Sequence, residues 1–486
     1  MSKLKLDINQ DKPTGNFWID NGLVVLFDEF GTGEFEISYI KNKLVKKLTP
    51  ETGNEDEYYN ENLDKIVKYK KRNWIYPSNN FIKAVPPTPK IEINGKKYFV
   101  HPPQYDLKLS FSSKTEVCAI CGEKAKLINA KMSMFPFAVE PKKFSNFYSG
   151  FKQGTKVCPK CALSGVAGYL GWLWRAQGKR LHVFVFHADL KYLYNLRKNV
   201  LVPLEFQEAS KAGNIPVEFY GNYLHETVLG LLLRLFKEIK KTEDSSLPEQ
   251  GLSLLEEILE EKLKTIQLTL FAFSGTMAKA FNMDSMFEFS EFNTIYKLYT
   301  KWINKFSNIE GNPHHIVTQI FRQFQRIENN KIETIWRDKI SWAILELRDP
   351  TSFIEDFLFE VKYKEQVPLA FGTIEVFELY LKEVTKMDEK LMSVLRGFGH
   401  SFGSVAQKEK EMGLLYALRN SKNPEDFFKT LNDIQFRLGL TVPEDLLLIE
   451  KGEKIKGSPW LRVKTLLSIY AMNSYLYSTK STTKED

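Results

Sequence analysis

Apolar residues fall in two different rhythms along the chain. Up to about residue 222 the apolar runs are short. Asn16-Phe-Trp-Ile-Asp-Asn-Gly-Leu-Val-Val-Leu-Phe27 fits either a turn into a buried strand or the start of a helix. Ile91-Glu-Ile-Asn-Gly-Lys-Lys-Tyr-Phe-Val100 alternates around Asn94-Gly95, a hairpin signal because both central positions of a type I′ turn need positive φ. Leu181-His-Val-Phe-Val-Phe186 predicts a buried strand. Tyr76–Asn80 and Val85-Pro-Pro-Thr-Pro89 carry loop chemistry.

Beyond residue 222 the apolar spacing becomes helical. The pattern predicts helices over Tyr223–Lys240, Leu252–Lys264, Phe287–Phe306, Ile332–Leu347, Thr373–Lys386, Glu389–Leu395, Glu411–Arg419, Pro424–Phe436 and Pro459–Tyr477. Asn423-Pro424-Glu425-Asp426 sets an N-cap, a proline at N1 and first-turn carboxylates where a helix start needs them. The expected fold is therefore α+β: a mixed N-terminal domain with an inserted Cys₄ zinc lobe, then an α-helical C-terminal half ending in a bundle. The expected segments are 1–115 (mixed), 116–165 (zinc lobe), 166–222 (continuation of the N-terminal domain), 223–372 (helical) and 373–486 (C-terminal bundle).

Charge sharpens this division. The 486 residues carry a formal net charge of +8. Residues 101–200 alone hold 16 Lys/Arg against 5 Asp/Glu, and residues 41–100 hold 13 against 7. The remainder is net negative, with an acidic run at Glu256-Glu257-Ile-Leu-Glu260-Glu261. Cations interleaved with aromatics suit phosphate contact plus base stacking, although a solvated lysine surface has the same composition. The N-terminus lacks the apolar core of a secretory signal, and no run of about 18 apolar residues occurs, so the expectation is a cytoplasmic protein without a membrane span.

All four cysteines fall in two CxxC pairs, Cys118-Ala-Ile-Cys121 and Cys158-Pro-Lys-Cys161. Two such knuckles supply the tetrahedral thiolate set that zinc prefers, and a closed Cys₄ site leaves no open position, so the expected ion is structural. The insert between the pairs is Lys/Phe-rich: Phe135-Pro-Phe137, Lys142-Lys143-Phe144, Phe147-Tyr148 and Lys152. Trp172 and Trp174 follow closely. The chemical candidates for nucleic-acid contact here are Lys156, Lys160, Arg175, Lys179 and Arg180; on the helical half they are Arg396, Lys408, Lys410 and Arg419. Each alone is more often an ordinary surface charge, and the basic region could instead dock on an acidic neighbouring subunit.

No catalytic constellation emerges. Gly399-His400-Ser401-Phe402-Gly403 matches the nucleophile-elbow letters, but His400 is the last histidine, so no base follows the serine. The surrounding Arg396–Ser404 stretch fits a helix break or a close approach of backbones. Gly150–Lys156 only superficially resembles a phosphate loop. His314-His315 after Pro313 predicts a helix start with surface histidines. His187-Ala-Asp189 closes the strand at 181–186 and is a weak metal candidate.

Together, Phe17-Trp18-Ile19-Asp20-Asn21-Gly22-Leu23, the widely separated cysteine pairs, Arg396-Gly-Phe-Gly, Leu414-Leu-Tyr-Ala-Leu-Arg419, Pro424-Glu-Asp-Phe-Phe and Val442-Pro443-Glu-Asp-Leu carry a resemblance. The chain resembles the CXXC–CXXC group of large subunits of type I CRISPR surveillance complexes (Cascade), most like the I-B branch, over essentially its whole length. The cysteine pairs are the specific part. The resemblance implies a non-enzymatic protein that recognises the protospacer-adjacent motif in double-stranded target DNA and contacts the 5′ handle of the CRISPR RNA. It would pack against guide-binding backbone and other Cascade subunits and help recruit the helicase-nuclease. It also implies that Met387 or Met392 could start a separately translated helical fragment of roughly 100 residues. The competing expectations are a zinc-containing nuclease or RNA-modifying enzyme with an unrecognised carboxylate site, and a zinc-lobe protein that binds only proteins.

Overall fold

The computed structural model describes residues 3–74, 84–85, 90–131, 133–136, 155–208, 213–219, 221–244, 267–277 and 281–482. The expected loops at 76–80 and 86–89, the helix at 252–264 with its acidic run, most of the insert between the cysteine pairs and the start of the 150–156 stretch lie outside them. The fold is α+β and divides into two compact units: Met1–Pro216 with Ser245–Ser290, and Val217–Asp244 with Glu291–Asp486. Among the described residues no helix is long and apolar enough to cross a membrane.

The first unit opens with β1 (Lys3–Leu6), α1 (Phe17–Phe30), β2 (Gly33–Glu36) and α2 (Ile37–Leu48). The run at 16–27 is a helix because Asn16 caps it, its side chain accepting from Trp18 N and Ile19 N. Next, β3 (Glu51–Asn60), β4 (Lys65–Arg72), β5 (Lys90–Ile93) and β6 (Lys96–Phe99) form a sheet in the order β4-β3-β6-β5. Asn94 and Gly95 make the expected turn between β5 and β6, with φ of 51° and 75°.

The second half of this unit holds β7 (Thr115–Val117), β8 (Lys124–Lys126), β9 (Ile128–Asn129), β10 (Lys156–Val157), α3 (Pro159–Ala167), β11 (Leu173–Gln177), β12 (Arg180–His187), α4 (Leu190–Leu196) and α5 (Val202–Glu208). The expected strand at 181–186 is β12, buried from Leu181 to His187. Two strands from beyond residue 222 join it, β13 (Thr269–Met277) and β14 (Phe281–Phe289), giving the antiparallel sheet β11-β12-β13-β14. The helical expectation for 223–372 is therefore corrected over 269–289, and the helix expected from Phe287 begins at Phe292. Leu268 to Phe273 is almost continuously apolar and buried, a pattern that does not distinguish strand from helix by periodicity.

The second unit is helical: α6 (Leu224–Asp244), α7 (Phe292–Lys305), α8 (Pro313–Arg322), α9 (Ile335–Leu345), α10 (Thr351–Phe357), α11 (Thr373–Val384), α12 (Glu389–Lys408), α13 (Met412–Asn420), α14 (Pro424–Leu438) and α15 (Trp460–Thr482). Asn423 caps α14 as expected, accepting from Asp426 N at 2.8 Å. The glycine-rich stretch at 396–404 does not break the helix; α12 runs through it. Its glycines serve packing. A Cβ built on Gly403 would lie 1.9 Å from Ala471 O, and one on Gly399 would lie 2.5 Å from Tyr470 Cβ, so α12 and α15 meet backbone to backbone. Ser401 lies mid-helix and donates back to Gly397 O, which is not the strand–turn–helix of a nucleophile elbow.

Candidate metal centre and basic surfaces

The first CxxC pair occupies the turn of the β7–β8 hairpin. Cys118 N donates to Glu123 O, and Gly122, at φ 75°, donates to Cys118 O. The second pair sits where β10 runs into α3. Cys158 is the N-cap and Pro159 takes N1, where its missing N–H costs nothing. Ala119 N donates to Lys156 O at 3.0 Å, clamping one knuckle to the other.

The four sulfurs converge within 4.8 Å of one another. Cys118 Sγ lies 3.8 Å from Cys161 Sγ, and Cys121 Sγ lies 3.7 Å from Cys158 Sγ. Metal–sulfur arms of about 2.3 Å in tetrahedral geometry set sulfurs about 3.8 Å apart. A disulfide would need about 2 Å. The cluster is thus dimensioned to hold a metal ion, and among the described residues it is the one such group.

Its electrostatics point the same way. Burial raises the Cys121 thiol to about 12. A hydrogen bond to Cys158, together with burial, pushes Cys161 up, whereas the Cys161 side-chain hydrogen bond holds Cys158 near 6. Cys121 and Cys161 are thus pushed towards the neutral thiol, and a divalent cation would stabilise the thiolates instead. Cys158 N also donates to Cys118 Sγ at 3.3 Å, orienting that sulfur.

The cysteine cluster packs onto the rest of its unit. Helix α3, which starts at Cys158, lies against α1. A Cβ on Gly22 would lie 1.7 Å from Ser164 O. The Trp18 indole N–H is shared between Met134 O at 2.8 Å and Gly165 O at 2.9 Å, and Asn21 donates to Gly168 O. On another side of α1, Asp20 is fully buried and accepts from Thr14 N, Thr14 Oγ1 and Gly15 N. It also meets His187 Nε2 at 3.1 Å. His187 is therefore a structural partner of Asp20 and not the start of a His187/Asp189 metal pair. Nothing in the local sequence names Met134, Gly165, Gly168 or His187 as partners, which lie more than a hundred residues from α1.

The candidate cations fall on several elements. Lys156 on β10 pairs with Glu116 at 2.6 Å, and Lys160 on α3 pairs with Asp11. Arg175 lies half-buried on β11; Trp172 and Trp174 beside it are buried. Lys179 is exposed in the β11–β12 turn. Arg180 on β12 donates to Ser274 Oγ and sits 3.4 Å from Asp284. In the second unit, Arg396 on α12 grips Glu378, and Arg419 on α13 contacts Asp356 at 2.9 Å and Glu360 at 3.2 Å. Lys408, which ends α12, and Lys410, just beyond it, are exposed. Of these nine candidates, only Lys156 and Lys160 flank the cysteines in the chain.

Two further features refine the sequence picture. The basic run Lys65–Arg72 is strand β4, and its lysines meet acids of β3, Lys71–Asp56 at 3.0 Å and Lys68–Glu55 at 4.0 Å. Tyr69, Phe99 and Tyr105 line a 260 Å³ cavity there with Lys70, Lys71 and Arg72. His314 is buried, not a surface residue, facing Tyr299 Oη at 2.8 Å and Glu218 at 3.2 Å. The signal was present: His314, Val317, Thr318 and Phe321 form one buried helical stripe.

In comparison with known proteins, no family model matches the chain and no curated protein matches it.

Proposed function

We propose that this chain is the non-catalytic large subunit of a type I, I-B-like CRISPR RNA-guided surveillance complex, with a structural zinc ion on Cys118, Cys121, Cys158 and Cys161. One observation carries the reading. The two pieces of the resemblance farthest apart in its first half, the Phe17–Leu23 motif and the cysteine knuckles, meet in one construction: Trp18, Asn21 and Gly22 bind the helix that Cys158 begins. Those residues are then explained together, as the framework that sets a closed thiolate site against α1. Zinc suits four thiolates at this spacing and would supply folding energy without chemistry of its own.

In this role the protein reads a short motif and the backbone, while base pairing of the guide reads sequence. The lysines and arginines around the zinc site and the β11–β12 turn support contact with the protospacer-adjacent motif and with the CRISPR RNA 5′ handle. The exposed cations of α12 and its C-terminal turn support strand contacts. The remaining partners are guide-binding backbone subunits, other Cascade subunits and the helicase-nuclease.

The test is co-expression of the full chain with guide-binding backbone proteins and CRISPR RNA from the same locus. The expected result is a ribonucleoprotein that retains this chain, contains one zinc per copy by elemental analysis, and binds matched duplex DNA in a motif-dependent, salt-sensitive way. Failure of the chain to enter the complex, or divalent-metal-dependent cleavage by the purified chain, would overturn the reading; the second result would make it a nucleic-acid enzyme.

A further inference from the structure

The second unit contains a groove of about 440 Å³ between the start of α11 and the facing sides of α12 and α15. That volume is within the range of about 300–1,000 Å³ typical of ligand sites. Three observations define its chemistry. First, Arg396 is held but not consumed. Its guanidinium donates to both oxygens of Glu378, and Tyr470 Oη donates to the same carboxylate. The Glu378 side chain is 10% exposed while that of Arg396 is 54% exposed. A guanidinium fixed along one edge keeps further N–H donors and a flat face for a ligand.

Second, His400 lies one turn further along α12, on the same side as Arg396, and its exposed ring makes no hydrogen bond or ion pair among the described residues. Third, the walls are aromatic and the rim mixed. Phe371 is 61% exposed and Tyr477 46% exposed, and both line the groove with the buried Tyr470. The Asn473 carbonyl oxygen is occupied by Leu369 N, which orients its amide group. Glu375 is the acid on the lining.

We propose that this groove takes one nucleotide turned out of a single strand, its base against the Phe371 and Tyr477 rings and its phosphate at Arg396 and His400. Aromatic and guanidinium surfaces stack any unpaired base. A carboxylate at the rim accepts from an exocyclic amino group, which favours a base such as cytosine. The inference rests on the proposed nucleic-acid role and adds a specific subsite to it.

The test measures binding of a labelled oligodeoxycytidylate to the full chain at low salt, for wild type, Phe371→Ala and His400→Ala. Both side chains are exposed, and because the Phe371 ring also meets Phe306, unchanged melting of each variant is checked first. Each is expected to weaken binding about tenfold, the loss of one stacked base or one phosphate contact. An oligomer carrying 5-iododeoxycytidine should crosslink to a peptide containing Phe371 or Tyr477. Equal binding by wild type and variants, with crosslinks elsewhere, overturns the subsite and leaves the nucleic-acid role standing. Absence of oligonucleotide binding by wild type overturns both. Displacement by an equal concentration of free deoxycytidine monophosphate assigns the groove to free nucleotides and overturns the strand assignment.

Discussion

Asp20 in the first unit and Glu226 in the second are both carboxylates without solvent access, and the chain treats them differently. Asp20 accepts from two backbone amides and a hydroxyl of Thr14 and Gly15, just ahead of its own helix, and meets the imidazole of the distant His187. Glu226 receives the guanidinium of Arg337 at 2.6 Å, with Thr334 Oγ1 on its other oxygen. The same contrast repeats more widely. The first unit closes on hydrogen bonds and a thiolate cluster that join remote segments. The second closes on helix faces riveted by buried ion pairs, among them Lys464–Glu355 at 3.3 Å. The mixed unit gathers thiols where a metal ion can be held, whereas the helical unit places its buried charges in matched pairs.

Removing the proposed metal should give the largest effect and separate the two units. Cys158→Ser, or chelation, is expected to abolish metal content and melt structure around α1 and α3, a loss of several kcal/mol or more given the large free energies of structural zinc sites. Hydrogen exchange should show α12 and α15 still protected. Uniform loss of protection in both units would erase the contrast.

Lys464→Met should be the next largest effect. It strands Glu355, whose carboxyl burial already pushes above its ordinary value. Breaking such a pair costs about 3–5 kcal/mol, and pairing the change with Glu355→Leu should recover most of it. Denaturant unfolding of single and double variants reads this directly, and an unrepaired double variant would show that packing, not charge, is at stake.

Acid should act on the second unit through Glu218. Burial opposes its ionisation, but the His314 hydrogen bond and charge and the Lys237 ammonium outweigh it and hold the carboxyl near 2. A depressed folded value contributes stability above the unfolded value of about 4.3, lost as pH falls towards 2. Glu218→Gln should therefore flatten the melting temperature of the second unit between about pH 4.3 and 2. A slope unchanged from wild type would assign it to other carboxylates. The smallest effect expected is from Asn423→Ala, about 1 kcal/mol for a lost N-cap on α14, measured by chemical denaturation.

Much of this contrast was legible in the sequence, for physical reasons that differ by region. The helices of the second unit repeat apolar residues at helical spacing, so their existence and approximate ends follow from periodicity, as at α11 and α14. The cysteine site was legible because CxxC geometry is local; only the meeting of two knuckles is tertiary, and four cysteines in two pairs leave little else to do. The strands at 269–289 were not legible for two reasons: β13 is an apolar run buried on both faces with no period to read, and most of β14 from Asn282 to Met286 is exposed, so it has no apolar alternation. The roles of Trp18, Asn21 and Gly22 were hidden for another reason: a hydrogen bond to Gly165 O belongs to the fold and not to any neighbouring residue. The glycines of α12 were legible as special but not as a seam, since α15 lies some seventy positions downstream.

The division of the chain also fixes an order of events during synthesis. The sheet of the first unit takes β11 and β12 early, but its other two strands arrive only after Val217–Asp244, which belongs to the second unit, has been made. As the chain leaves the ribosome, Phe17 of α1 therefore has to wait for Phe271 and Phe273, the rings on which it finally stacks. Until residue 290 has emerged, no contiguous stretch of nascent chain contains either unit whole, and truncation at any single point leaves at least one of them incomplete or trailing part of the other.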